Sequence, residues 1–227
     1  GQACYYHLYS KNNSLCNEFY FDLVSSHYQP TVLVDYRREP FVYDINNIRI
    51  TFDKSLRKPE YLQLSPAGRV PALEIDGEQM FETGAITEYL CEKFSPDNLG
   101  RSWSSSDRMN WLIWVHFAET ISQHAAALTQ QHEVLYKDEM RSPILMKIEA
   151  ARIAKCFDAL EACLSSTFEK RDYLLKSGFS AADISVGQAV YMARHFTPLD
   201  GHRKMAKWYS RITERQAFKS SLPTDSE

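Results

Sequence analysis

The sequence has few cysteines and no excess of positive charge. Its 227 residues include five cysteines, an odd number, and no two of them form a CxxC pair. This pattern favours neither a zinc site nor a disulfide framework, so we expect reduced, buried packing cysteines. The formal net charge of -3 leaves no basic surface for phosphate backbones, which argues against a nucleic-acid partner.

Long apolar runs are also missing. No segment approaches the roughly 20 consecutive apolar residues that span a bilayer. The first residues, GQACYYHLYSKNNS, lack the basic start and the apolar stretch of a signal peptide. A cytoplasmic protein without membrane contact is therefore expected.

The first 95 residues alternate between strand and helix signals. Residues 4–9, CYYHLY, are aromatic and β-prone, and the apolar-periodic segment 14–28 that follows predicts a helix with Ser14 as its N-cap. Further strands are predicted at residues 47–52, 70–75 and 79–81, and a helix at residues 83–94. The order is βαβαββα, an α/β sandwich.

Two local features sharpen this prediction. Asp76-Gly77 is the strongest short hairpin signal in the chain and joins the last two strands. In the helix that follows, the apolar side chains fall on one face: Ile86, Tyr89, Leu90 and Phe94. Residues 28–43 do not fit the compact pattern and are interpreted as an insertion, whose TVLV forms an extra strand or covers a dimer surface.

Strand signals nearly vanish after residue 95. Residues 95–102, SPDNLGRS, have the composition of an interdomain linker. The remainder predicts helices, one with an apolar face that includes Trp111 and Val115, one at residues 142–166, one that opens at Ser180, and shorter ones within residues 203–218. The polar end of the chain is expected to fray.

Residues 64–90, LSPAGRVPALEIDGEQMFETGAITEYL, form the most specific stretch of the chain. The stretch resembles the glutathione-binding core of the glutathione transferase family, in which a Pro-Gly-x-Val-Pro-x-Leu loop precedes a Glu-Ser-x-x-Ile helix start. Ala67 is inserted before Gly68, as in many bacterial members. Thr83 replaces the usual Ser and keeps its hydroxyl.

The resemblance extends into the second half of the chain. Ser180-Ala-Ala-Asp183 matches the family's capping box, in which Ser180 and Asp183 each satisfy the other's backbone N–H. Gly187, one turn later, indicates close backbone packing because glycine is costly inside a helix. Residues 208–218 resemble the family's C-terminal signature, with Gln216 in place of the usual Pro.

The resemblance implies a fold and a glutathione site. Residues 1–95 are expected to form a thioredoxin-like glutathione-binding domain, and residues 103–227 an all-helical domain. Val70-Pro71 is a cis peptide in this family and leaves the Val70 backbone free to pair with an extended tripeptide. Glu82 and Thr83 suit the ammonium and carboxylate of the γ-glutamyl end. Arg69 belongs to the same binding set, and no metal is implied.

Three residues are candidates for activating the glutathione thiol, because the thiolate is the nucleophile in this chemistry. Aligning Leu8-Tyr9 with the end of the family's first strand puts Tyr9 at the position of tyrosine-type enzymes and Ser14 at that of serine-type ones. We favour Ser14, whose helix N-terminus also attracts an anion. Cys16 is the third candidate, by a mixed disulfide, although it lies inside the helix and off the family's register.

The second substrate site of such proteins forms beside the first long helix of the helical domain. That helix is expected to carry Trp103, Trp111, Trp114, His116 and Phe117, of which only Trp114 and Phe117 are weak candidates. His116, His124 and His132 repeat every eight residues, and their spacing favours solvated or packing histidines over a metal site.

The resemblance leaves three functions open. The first is a glutathione transferase acting on small, electrophilic, hydrophobic substrates, as in detoxification. The second is a thiol transferase or peroxidase that uses Cys16, and the third is a non-catalytic binding protein of the same fold. A homodimer is expected, with Phe81 and Tyr89 beside its contact region.

Overall fold

The computed structural model describes residues 39–43, 48–52, 58–135, 137–166 and 171–222. The strand predicted at residues 4–9, the helix predicted at residues 14–28 and residues 223–227 of the polar end lie outside the described residues. No helix of the described part is long and apolar enough to cross a membrane.

Four strands form one antiparallel sheet in the order of the sequence. They are β1 (Glu39–Tyr43), β2 (Ile48–Phe52), β3 (Ala72–Ile75) and β4 (Glu78–Phe81). In register, Ile50 of β2 lies opposite Leu73 of β3. The predicted hairpin between β3 and β4 is confirmed: Asp76 and Gly77 have φ angles of 52° and 83°, the left-handed conformation that such a two-residue turn requires.

β1 was not among the predicted strands. It lies at the end of the segment interpreted as an insertion, where EPFVY pairs with β2. TVLV itself, residues 31–34, lies outside the described residues. The extra strand depends on β2 as a partner, and this is a tertiary contact that the composition of the segment does not reveal.

The described part of the N-terminal domain contains two helices, α1 (Pro59–Leu64) and α2 (Thr83–Phe94). Ile86 of α2 packs on Leu73 and Ile75 of β3 to form the small core of the domain. Only part of the predicted apolar face of α2 is buried, because Tyr89 and Phe94 are exposed. With β2, β3 and β4, the two helices supply the βαββα part of the predicted thioredoxin-like βαβαββα domain.

The C-terminal domain is all-helical in its described residues. It contains α3 (Arg108–Thr129), which continues as a π-helical turn (Gln130–Val134), a 3-10 turn (Asp138–Met140), α4 (Pro143–Leu164), α5 (Ala181–Ala193), α6 (Arg203–Thr213) and α7 (Gln216–Ser221). The predicted helix at residues 142–166 is confirmed, with the Ser142 hydroxyl accepting from the Leu145 N–H. The fully buried side chains at the centre of the C-terminal domain include Trp111, Phe157 and Trp208.

The start of α5 confirms the predicted capping box. The Ser180 hydroxyl accepts from the Ala182 N–H, and the Asp183 carboxylate accepts from the Ser180 N–H at 2.9 Å. The other oxygen of Asp183 accepts from the Leu174 N–H and from the Trp208 indole. The Ser180 hydroxyl also donates to the Asp183 carboxylate. Burial raises the pKa of this carboxyl, although these four hydrogen bonds act in the opposite direction.

The interdomain segment is fixed to the helical domain. The carbonyl of Leu99 accepts from the indole of Trp111 and from the Ala181 N–H, both at 2.9 Å. Arg101 is buried and donates to the Ser177 hydroxyl and to the carbonyls of Asn98, Gly100 and Gly178. A segment with linker composition is therefore rigidly attached at its C-terminal end.

Candidate functional site

One cavity brings together all five residues that were predicted to bind glutathione. Arg69, Val70, Pro71, Glu82 and Thr83 line a cavity of about 90 Å³ between the β3–β4 end of the sheet, the start of α2 and helix α3. The other lining residues are Ser65, Ala67, Phe81 and Glu119. The structure thus supports their proximity, while their binding roles stay predictions.

The loop before β3 forms one wall of this cavity. Its Val70-Pro71 bond is cis, as the resemblance implies, and Val70 lies before the β3 ladder with 44% of its surface exposed. Behind the loop, the buried Tyr61 hydroxyl donates to the Arg69 carbonyl at 2.6 Å. The Arg69 N–H donates to the Ser65 hydroxyl. These contacts hold the loop in one shape, so the Val70 backbone faces the cavity from a rigid support.

Glu82 forms the opposite wall and has an unusual backbone conformation. Its φ of 78° is rare for a residue with a side chain and costs on the order of 1–3 kcal/mol. Glu82 is the N-cap of α2, yet its side chain makes no capping hydrogen bond. The Glu82 carboxylate is therefore not used to cap α2 and is available to a ligand.

The charged groups around the cavity are not paired with one another. Within the described ranges, the guanidinium of Arg69 and the carboxylates of Glu82 and Glu119 have no hydrogen-bond or ion-pair partner. Thr83 is exposed at the first turn of α2, where backbone N–H groups lack helical acceptors. The cavity therefore offers one cation, two anions and a helix N-terminus to a small ligand.

The candidates for thiol activation, Tyr9, Ser14 and Cys16, lie outside the described residues. Which of the three activates the glutathione thiol stays a prediction from the resemblance.

Comparison with known proteins extends the likeness over both domains. Residues 35–98 match the family model for the N-terminal domain of glutathione S-transferases. Glutathione S-transferase F10 from Arabidopsis thaliana is 28% identical over 182 residues, which cover 72% of this chain and 77% of the relative. The theta-1 enzyme from Rattus norvegicus is 24% identical over 211 residues, covering 86% of this chain and 81% of the relative. The chain is similar to glutathione S-transferases over most of its length.

Solved glutathione transferase structures have the same fold as this chain. The glutathione transferase URE2P8 from Phanerochaete chrysosporium, solved with oxidised glutathione, aligns with a TM-score of 0.63 at 23% identity. The alignment covers 73% of this chain and 75% of the fungal one. A glutathione S-transferase from Xylella fastidiosa aligns with a TM-score of 0.64 at 20% identity, covering 74% and 81%. The chain thus has a thioredoxin-like domain followed by a helical domain.

The aromatic residues near α3 mostly belong to the core. Trp111 is fully buried, and Trp114 and Phe117 form an edge-to-face pair, 5.3 Å between ring centres, against the helical core. The placement of Trp103 on this helix was wrong, because α3 begins at Arg108 and Trp103 stands before it, 91% exposed. No aromatic of α3 lines the described cavity.

The three evenly spaced histidines of α3 and its π-helical turn have separate partners. His116 contacts Glu88, His124 contacts Glu149, each at 2.6 Å, and His132 stacks on Phe196. In the part of the chain that the structure describes, no cluster of three or more metal-binding side chains occurs.

Glu119 is the charged lining residue that sequence reasoning missed. It follows His116 by three positions on α3, so the two side chains share a helix face. The sequence shows this spacing, but it does not show which face of α3 packs against α2.

Proposed function

We propose that this protein is a glutathione transferase, which binds glutathione and activates its thiol for attack on a small, electrophilic, hydrophobic substrate. The observation that carries the proposal is the shared cavity of Arg69, Val70, Pro71, Glu82 and Thr83. Nothing in the spacing of these residues along the chain forces them together, and their chemistry matches the two ends and the backbone of a tripeptide.

Each end of glutathione has a complementary group. The α-carboxylate of the γ-glutamyl residue binds the Thr83 hydroxyl and the N–H groups that open α2, where the helix dipole favours an anion. Glu82 binds the adjacent ammonium. The Val70 backbone pairs with the extended peptide in the manner of an added strand, and Arg69 supplies a cation for the glycine carboxylate.

The chemical step needs a thiolate. In this proposal the Ser14 hydroxyl donates to the sulfur and lowers its pKa, with Tyr9 as the alternative donor. The thiolate then attacks an electrophilic carbon and forms the carbon–sulfur bond. In a substitution, the leaving group departs with its electron pair.

We further propose that the protein works without a metal, as a cytoplasmic homodimer. Phe81 and Tyr89, beside the expected contact region, expose 41% and 37% of their surfaces, and apolar side chains of this kind are commonly covered by a partner. Light scattering in solution checks the dimer. Activity that survives a chelator checks the absence of a metal.

The test of the function combines binding and chemistry. The protein should be retained by immobilised glutathione and should conjugate glutathione to a generic aryl halide. Ser14→Ala should remove the conjugation while Cys16→Ser leaves it intact. Loss of activity only in Cys16→Ser indicates a thiol transferase or peroxidase instead. Retention by immobilised glutathione without any conjugation of the aryl halide indicates a non-catalytic protein of this fold.

A further inference from the structure

The loop between α1 and β3 is held through the backbone of one residue, Arg69. The Arg69 N–H donates to the Ser65 hydroxyl at 3.3 Å, and the Arg69 carbonyl accepts from the Tyr61 hydroxyl at 2.6 Å. Tyr61 and Ser65 are each only 1% exposed, so water competes little for their hydroxyls. Both backbone groups of Arg69 are thus bound by buried side chains, although Arg69 itself is exposed.

The Tyr61 contact also fixes the plane of the peptide unit that joins Arg69 to Val70. A peptide unit is planar, and in its trans form the C=O of one residue and the N–H of the next point in opposite directions. Among the described residues the one cis bond is Val70-Pro71, so the Arg69–Val70 peptide is trans. Because its carbonyl is directed at the Tyr61 hydroxyl, its N–H, which belongs to Val70, is directed away from Tyr61.

This Val70 N–H has no acceptor within the described ranges. The pairing of β3 with β2 and β4 begins at Ala72, and no turn or cap in the described part uses the Val70 N–H. Val70 lines the cavity and is well exposed. Since backbone donors of folded proteins are nearly always paired, we expect this N–H to bind water in the free protein and a ligand in the complex.

We infer that Tyr61 is a positioning residue for glutathione, because its hydroxyl orients the Arg69–Val70 peptide so that the Val70 N–H donates to the peptide backbone of the ligand. The inference rests on the proposed function and gives α1 a role in it. Hydrogen bonds in a chain polarise one another, so the bond that the Arg69 carbonyl accepts also strengthens the Val70 N–H as a donor. Tyr61 is not among the residues that line the cavity, and it acts on the ligand only through this peptide.

The ring and the hydroxyl of Tyr61 have separate roles. The ring is among the fully buried side chains and fills space behind the loop. Phenylalanine keeps this ring and removes only the hydrogen-bond donor. Tyr61→Phe therefore frees the Arg69–Val70 peptide to rotate while the packing of α1 is preserved.

The test measures two ligands by calorimetry, glutathione and S-methylglutathione, which has the same backbone and no free thiol. Tyr61→Phe should weaken the binding of both about fivefold, the order of effect of one hydrogen bond. In the conjugation assay, the KM for glutathione should rise by a similar factor. The kcat at saturating glutathione should stay unchanged, because the lost interaction holds the ligand equally in the ground state and in the transition state.

Tyr209→Phe is the matched control. Tyr209 is also buried, but its hydroxyl has no hydrogen-bond partner in the part of the chain that the structure describes. The substitution removes the same hydroxyl from a buried ring, in the helical domain. It should change neither the dissociation constants nor the KM for glutathione.

The outcomes separate this inference from the proposed function. If the wild-type chain binds neither ligand, the proposed function fails and the inference with it. If the wild type binds both and Tyr61→Phe binds them as tightly, the role of Tyr61 is overturned, even where its thermal unfolding temperature falls. A loss confined to glutathione places the effect at the sulfur and also overturns it. Weaker binding of both ligands by Tyr61→Phe that is folded by circular dichroism, beside an unaffected Tyr209→Phe, supports it.

Discussion

The ring of His116 lies against the backbone of Gly84, across the boundary between the two domains. A β-carbon built on Gly84 would come within 3.0 Å of two atoms of this ring. The ring is held there by its hydrogen bond with Glu88, one turn further along α2. The contact brings α3 close to the turn of α2 that carries Glu82 and Thr83.

We predict that Gly84→Ala and His116→Ala are energetically coupled. Replacing glycine by alanine in a helix normally stabilises it by about 0.5–1 kcal/mol. In the wild-type background this gain should be cancelled, because the new methyl group displaces the His116 ring from Glu88. In the His116→Ala background the gain should appear in full. Urea unfolding of the four proteins of the cycle measures the coupling, and equal effects in both backgrounds would contradict it.

Gly187 should be more sensitive to the same substitution than Gly84. A β-carbon there would lie 2.5 Å from Cδ1 of Ile212, and both residues are buried. Gly187→Ala is expected to cost about 1–3 kcal/mol of unfolding free energy through overpacking.

The matched variant for Gly187 is Ile212→Val, which removes the Cδ1 atom. By itself it should cost about 0.5–1.5 kcal/mol. Combined with Gly187→Ala, it should give a protein more stable than the sum of the two losses predicts. Strictly additive losses in thermal or urea unfolding would show that the contact is not the cause.

Asp107 should contribute a pH-dependent part of the stability. Burial alone would raise the pKa of this carboxyl, but hydrogen bonds from Ser177 and the charges of Arg101 and Arg171 outweigh burial and lower it below 3.8. A lowered pKa in the folded state stabilises the protein above about pH 3.8, and this contribution disappears as the pH falls through the folded value.

The variant Asp107→Asn isolates this contribution. Compared with the wild type, its urea midpoint should be lower at pH 7 and should fall less between pH 7 and about pH 3. Asp97→Asn, at an exposed position of the interdomain segment, is the control and should keep the wild-type dependence. If the urea midpoint falls equally with pH in Asp107→Asn and in the wild type, the pH-dependent stability does not come from Asp107.

The buried cysteines should be unreactive while the protein is folded. Burial raises the pKa of Cys91 to about 11, and it also raises the pKa of Cys156. At pH 8 the thiolate of Cys91 is then about a thousandth of the total, and access is blocked as well. Iodoacetamide should leave both residues unmodified in the folded protein and alkylate both in urea, as read by peptide mass spectrometry. Rapid modification of Cys91 without urea would contradict its burial.

Several features could be predicted because their causes are local. The hairpin at Asp76-Gly77 needs only two residues that accept a positive φ. Helix α4 begins after Ser142 because a hydroxyl caps it and Pro143 suits its first turn. The capping box of Ser180 and Asp183 lies within four consecutive residues, so its pattern is visible without the fold.

Other features depend on partners that are distant in the chain. β1 forms because β2 offers it an edge. Tyr89 and Phe94 stay exposed although they fit the apolar periodicity of α2, since the sheet covers only one side of that helix. The segment at residues 95–102 has linker composition, yet Arg101 is buried by loops more than seventy positions away. Composition and periodicity do not encode such contacts.

The candidate site shows the same division. The sequence by itself determined the domain order, the loop of Arg69, Val70 and Pro71 and the helix start of Glu82 and Thr83, because each consists of neighbouring residues with a local conformation. Only the tertiary structure decided that these two segments share one cavity and that Glu119 faces it from the helical domain. The physical reason is the register in which α2 packs on α3, which depends on the fit of two helix surfaces and not on either helix alone.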